Sequence, residues 1–223
     1  MATVYSFNSG NKRKSFFFKS ANLNLILINI IVFLIFSILI SKSIISIDSV
    51  AIKPSNVLQG KYLWTFLTSM FMHAGIFHLL VNMFSLAFVG PLIERIIGKR
   101  RYVSFYILSG IFAGLFFVLM SLIFAGDFEA YAVGASGALF GLIGLLMVLT
   151  PNLPVYVMFI PIPIKMKYAA PGMLIILWLI SFTESVSIGN TAHLGGLIAG
   201  ILYGVYLRKK YKNKTRYISK HFS

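Results

Sequence analysis

Six apolar runs, each near the length a helix needs to cross a bilayer, constrain this chain more than any other feature. About 20 mostly apolar residues span roughly 30 Å of hydrocarbon. Runs of that kind fall at 22–41, 76–93, 102–125, 134–150, 169–184 and 190–207. The fifth is the shortest, because Pro161, Pro163 and Pro171 break the apolar stretch that precedes and opens it. With 58% hydrophobic residues and five acidic residues in 223, the balance excludes a soluble domain of this length. The reading is an all-α polytopic membrane protein: a membrane domain over 21–207 between basic tails at 1–20 and 208–223. The first run follows a basic stretch but lacks a small-residue cleavage pattern, so it is read as a retained helix. The longest connection, about 42–75, carries Pro54, Tyr62, Trp64, Phe66 and Phe71. It is expected to be partly structured and to lie at headgroup level.

A net charge of +15 could suggest nucleic acid, yet the charges lie in blocks between and outside the spans. They report topology. With six helices both termini share one side, which collects Lys12, Arg13, Lys14, Lys19, Arg95, Lys99, Arg100, Arg101, Lys165, Lys167 and the basic residues from Arg208 to Lys220. The other side keeps Lys42, Lys53 and Lys61 with Asp48, Asp127, Glu129 and Glu184. Positive-inside bias then predicts cytoplasmic termini. The short tails suggest a prokaryotic plasma membrane. Weak attraction of the basic tail to anionic lipid is a second use of the same charges. No cysteine is present, which excludes disulfides and thiolate metal sites.

Two runs carry glycine stripes: Gly134, Gly137, Gly141 and Gly144 in the fourth, Gly196, Gly200 and Gly204 in the sixth. Small residues at such spacing let membrane helices approach closely, and a stripe alone signifies only packing. Here each stripe opens beside a polar residue, Ser136 in one and His193 in the other. Packing the stripes together brings that pair to one depth. A serine hydroxyl becomes a nucleophile when a base takes its proton, and neutral imidazole is such a base. None of the five acids lies in the fourth or sixth run, so the expectation is a dyad without an orienting carboxylate. A lone serine would more often be back-bonded to its own helix.

A third cluster, His73, His78 and Asn82, opens the second run. His78 and Asn82 are four apart on one helical face, and both can donate to a developing oxyanion together with the Ser136 amide. Three histidines also raise metal binding. No H-E-x-x-H helix and no nearby acid accompany them, so no metal is assigned.

These elements together resemble the rhomboid family of intramembrane serine proteases: His73-x4-His78-x3-Asn82, then Gly134-x-Ser136-Gly137, then Ala192-His193-x2-Gly196-x3-Gly200, in that order over about 60–204. The resemblance implies a six-transmembrane-helix bundle, catalytic Ser136 and His193, and an oxyanion site of His78, Asn82 and the Ser136 amide. It implies that His73 orders the local hydrogen-bond network, that Phe140 packs on His193, and that neither metal nor cofactor takes part. It further implies single-pass membrane proteins as substrates, entry between the second and fifth helices, and an active site open to the external side. Residues 126–133 and 184–191 would line its mouth. Two departures stand out: Trp64-Thr65 where the family often has Trp-Arg, and Phe140 where a tyrosine would add a hydroxyl. Glu94 reads as a structural tie at the far end of the second helix. The competing reading is a non-catalytic membrane scaffold or quality-control protein that uses the same bundle to hold client helices. A transporter would need an internal repeat or a mid-membrane acid, and the sequence has neither.

Overall fold

The computed structural model describes residues 20–157, 160–184 and 189–221, with the side chains of 182–184 and 221 outside the description. Each apolar run becomes a helix. In chain order the helices are α1 (Ala21–Ser41), the short α2 (Pro54–Leu58) and α3 (Thr65–Thr68), α4 (Ile76–Ile97), α5 (Lys99–Met120), α6 (Ser136–Leu149), α7 (Met166–Glu184), α8 (Asn190–Lys210) and α9 (Lys212–His221). Among the described residues the strands form a two-stranded antiparallel ribbon, β1 (Pro154–Val155) with β2 (Ile164–Lys165). Helices α1, α4 and α5 are long and apolar enough to cross a membrane.

Some helix ends differ from the sequence expectation. Helix α4 passes through Pro91 and runs to Ile97, because Ile93 and Ile97 are buried and hold the last turn. It ends at Gly98, whose φ of +84° suits glycine. Helix α5 stops at Met120 instead of near 125. Beyond it Ser121 is buried and returns its hydroxyl to the Val118 carbonyl, an alternative to continuing the helix.

Helix α6 sits at the centre, with α4, α5, α7 and α8 around it. Its residues Gly137 to Leu146 are all buried, which its uniform apolarity permits. At 14 residues it is about 21 Å long, shorter than the roughly 30 Å of a hydrocarbon core.

Helix α1 is tied on by polar contacts. Glu94 of α4 reaches its first turn and accepts from the Ala21 and Asn22 amides, both at 2.9 Å, and from the Ser20 hydroxyl at 3.1 Å. A carboxylate at a helix N-terminus satisfies orphan amides and complements the dipole. Deeper in the bundle, the Tyr102 hydroxyl donates to Asn22 at 2.6 Å, and Asn29 donates to the Tyr106 hydroxyl at 3.3 Å. Glu94→Ala is expected to lower stability by about 1–3 kcal/mol, the usual result of stripping a charged acceptor from part-buried donors. Glu94→Gln should lose less. Equal melting temperatures for wild type and Glu94→Ala in detergent would contradict this.

The segment between α1 and α4 is ordered. Trp64 donates its indole N–H to the Ser49 carbonyl at 2.9 Å, and Thr68 donates to Val50 at 3.0 Å. Ile52 and Ala132 exchange both backbone bonds, at 3.1 and 2.8 Å, joining this segment to the loop before α6. Beside that bridge Lys53 Nζ lies 2.7 Å from Glu129. The Lys53 hydrogen bond holds the Glu129 carboxyl below its ordinary range, and Glu129 holds the Lys53 ammonium above its own. With the folded Glu129 value depressed, the tie is present above its unfolded pKa and is lost as pH falls through the folded one. The effect is modest because both groups are solvated. Amide exchange at Ile52 and Ala132 should therefore speed up in acid in the wild type beyond the change seen in Glu129→Gln. Identical acid responses would remove the ion pair from the account.

Candidate active site

Helices α6 and α8 meet backbone to backbone. A Cβ on Gly196 would collide with the Gly137 carbonyl oxygen, and one on Gly200 with that of Gly141. The glycine stripes thus pack in the register their spacing suggests. Ser136 is the first residue of α6 and His193 lies in the first turn of α8. Their heads are brought together, with Ser136 Oγ 2.7 Å from His193 Nε2. Phe140, one turn after the serine, stacks on the imidazole with centroids 4.7 Å apart and planes 20° from parallel. The ring is held from one face, its exposure only 5%. Among the described residues no group meets His193 Nδ1, so the pair has no third orienting member there.

The head of α4 supplies the other wall. Gly134 has a φ of +118°, and its amide donates to the Ser69 carbonyl at 2.8 Å. A Cβ added there would stand 2.8 Å from His78 Cε1, 3.0 Å from His78 Nε2 and 3.7 Å from Ser136 Oγ. The His78 edge and the serine hydroxyl therefore share one small space above a residue that must be glycine. His78 Nδ1 accepts from the Ala74 amide at 3.3 Å. In a neutral imidazole that leaves Nε2 as the N–H donor, on the side facing Gly134. The Ser136 amide belongs to the first turn of α6 and has no intrahelical acceptor. Both are donors of the kind an oxyanion requires.

Asn82 is buried one turn further down α4 and donates one N–H to the His78 carbonyl at 2.9 Å. This contact steadies the turn that carries His78 and leaves a second amide hydrogen. His73 is buried, with Nε2 accepting from the Ala135 amide at 3.5 Å and its ring edge-on to His78 at 5.3 Å. It braces the loop that leads into Ser136. Among the described residues no three His, Asp or Glu side chains converge as a metal site.

Two supports had no sequence signal. The Ser69 carbonyl that pins Gly134 lies in a single turn after α3, and its use depends on tertiary folding alone. Asp127 accepts from Thr191 at 3.0 Å, linking the loop before α6 to the start of α8. Of the residues expected at the mouth, 185–188 lie outside the described residues.

Residues 60–210 match the family model of the Rhomboid domain. The chain belongs to the rhomboid family. Among its relatives, RHOMBOID-like protein 1 of Arabidopsis thaliana is 37% identical over 159 residues, covering 69% of this chain and 37% of the relative. Rhomboid protease GluP of Bacillus subtilis (strain 168) is 35% identical over 148 residues, 66% of this chain and 26% of that protein. Inactive RHOMBOID-like protein 8 of Arabidopsis thaliana is 36% identical over 144 residues, 63% of this chain and 37% of the relative. The matched part spans about a third to a half of the length of the first curated relatives. This rhomboid is an integral membrane protein of all-α architecture, and its domain takes in every residue of the Ser136 and His193 cluster. The family includes serine proteases and a member named inactive. In this rhomboid Thr65 turns its hydroxyl to the Tyr62 carbonyl at 2.7 Å, and Trp64 does the anchoring through Ser49.

Proposed function

We propose that this rhomboid is an intramembrane serine endopeptidase in which Ser136 attacks a peptide carbonyl and His193 carries the proton. The observation that carries the reading is the 2.7 Å contact between Ser136 Oγ and His193 Nε2. As Oγ bonds to the carbonyl carbon, its proton passes to Nε2. The oxygen becomes an oxyanion facing the Ser136 amide, His78 Nε2 and the free amide hydrogen of Asn82. When the tetrahedral intermediate collapses, the carbon–nitrogen bond breaks and Nε2 returns the proton to the departing amine. Water then repeats the sequence on the acyl-enzyme, with His193 again as base. Stacked Phe140 keeps the imidazole in its working orientation.

The substrates are transmembrane segments of single-pass proteins. Such a helix satisfies its own backbone and must open locally before attack. The short α6 is compatible with this scheme: at 14 residues it is about 21 Å long, and a head recessed from the bilayer surface would be open to water from the external side. Both termini face the cytoplasm on this reading, in a prokaryotic plasma membrane, with residues 21–207 as the working domain. No metal or cofactor takes part.

The test is cleavage of a single-pass reporter with a helix-destabilised segment by the purified chain in liposomes, with labelling by a fluorophosphonate serine probe. Reporter fragments together with label on Ser136 are expected. Stable reporter binding with neither fragments nor label would favour a non-catalytic scaffold. Entry between α4 and α7 follows from the same reading, since α7 packs on α6 and α8. The chain lacks cysteine, so a pair introduced at facing positions of α4 and α7 is the sole thiol pair. Oxidation should abolish cleavage and reduction should restore it; activity unaffected by the crosslink would exclude that route.

A further inference from the structure

At the end of the bundle far from Ser136, α8 breaks at Tyr211 and the chain turns into α9. Helix α9 packs against the ends of α8 and α6. Between them is an open cleft of about 630 Å³, lined by Arg208, Lys209, Lys212, Arg216 and Lys220 above Val205 and Leu149. The spacing explains it. Residues 212, 216 and 220 fall on one face of α9, and 205, 208 and 209 on one face of α8.

The cleft concentrates five positive charges with no acid among its lining residues. The only ion pair among the described residues, Lys53 with Glu129, belongs to the opposite end. Glu94, the acid at this end, is occupied by the amides of α1. Arg101 of α5 donates to the Tyr211 hydroxyl at 2.9 Å and ties the α8–α9 junction to the bundle, and Thr215, buried, returns its hydroxyl to the Tyr211 and Lys212 carbonyls in the first turn of α9. Gathering like charges is unfavourable, and among the described residues no anion faces them, so a cleft of this make is complementary to an anion. The position selects the kind of anion. The cleft opens where α6 ends and α8 leaves the apolar layer, with Val205 and Tyr206 exposed below it. A phosphate there has hydrocarbon directly beneath, as in a phospholipid, and basic pockets at this level between helices suit acidic headgroups.

We propose that the α8–α9 cleft is a binding site for an anionic glycerophospholipid, its phosphate among Arg208, Lys212 and Arg216 and an acyl chain along Val205. The dyad lies about 22 Å away along α8, so the site is independent of the proposed chemistry.

The test is thermal unfolding of the full chain in neutral detergent with added phosphatidylglycerol, phosphatidylcholine or inorganic phosphate. Phosphatidylglycerol near a hundredfold excess over its Kd should raise the wild-type Tm by about 5 °C or more, and phosphatidylcholine should not. The shift should vanish in R208Q/K212Q/R216Q and survive in K42Q/K61Q, which removes charge at the other end. An equal shift in the triple variant, or an equal shift from phosphate alone, overturns the proposal; the latter would mean a free-anion site. Should the triple variant not fold, native mass spectrometry of K212Q and R216Q decides: each should retain fewer phosphatidylglycerol adducts than wild type, and equal retention overturns it.

Discussion

Ser136→Ala is expected to lower the turnover of a single-pass reporter by at least about a thousandfold while leaving the melting temperature unchanged. The removed hydroxyl is the proposed nucleophile and the partner of His193 at 2.7 Å. Its loss leaves the imidazole under Phe140 and the α6–α8 contact intact, so no fold explanation competes. His193→Ala should cost a similar factor, and the double variant little more, because the two groups act as one unit. Losses that multiply in the double variant would show that the residues work separately. Residual cleavage at the wild-type rate in Ser136→Ala would end the serine mechanism.

Gly200→Val is expected to unfold the bundle or lower its stability by about 3 kcal/mol or more, beyond the usual range of an overpacked core side chain. At position 200 the obstacles are backbone: the Gly141 carbonyl oxygen, the Leu145 amide and the Gly144 carbonyl carbon. A neighbouring side chain could rotate away, but two helices in contact through their main chains can only separate. Separation would also pull His193 from Ser136, so activity should fall with stability. Gly172→Ala in α7 is the contrasting substitution, since nothing lies within 4 Å of the new Cβ. There the gain in helix propensity should raise stability by about 0.5–1 kcal/mol. Measured in one detergent, the two variants should move in opposite directions, and a tolerated Gly200→Val would mean that α6 and α8 can repack.

Much of this was legible because membrane helices write their contacts in plain spacing. The stripes on either side of Ser136 and His193 required the two residues to meet, and hydropathy alone located the helices. Asn22 and Asn29 show where such reading stops. Each sits in an apolar run that would hold equally well with leucine, and their partners Tyr102 and Tyr106 lie about 80 residues away with no local mark of pairing. The role of Glu94 was readable as a tie but not its partner, since capping depends on where α1 begins in space. Helix α9 was hidden for another reason. A run of lysines reads as a solvated tail until buried Thr215 reveals a packed face.

The polar fastening of α1 bears on the order in which the molecule is assembled. Helix α1 is synthesised before α4 and α5, yet the groups that complete its hydrogen bonds lie on those later helices, Glu94 on α4 and Tyr102 and Tyr106 on α5. Until then Asn22 and Asn29 stand in lipid without tertiary partners, an unfavourable state for polar groups. Helix α1 thus reaches its native position only after α4 and α5 have inserted and can receive it. During that interval its asparagines are open to any other polar helix, and the newborn chain is exposed to mispairing at the very contacts that later fasten α1.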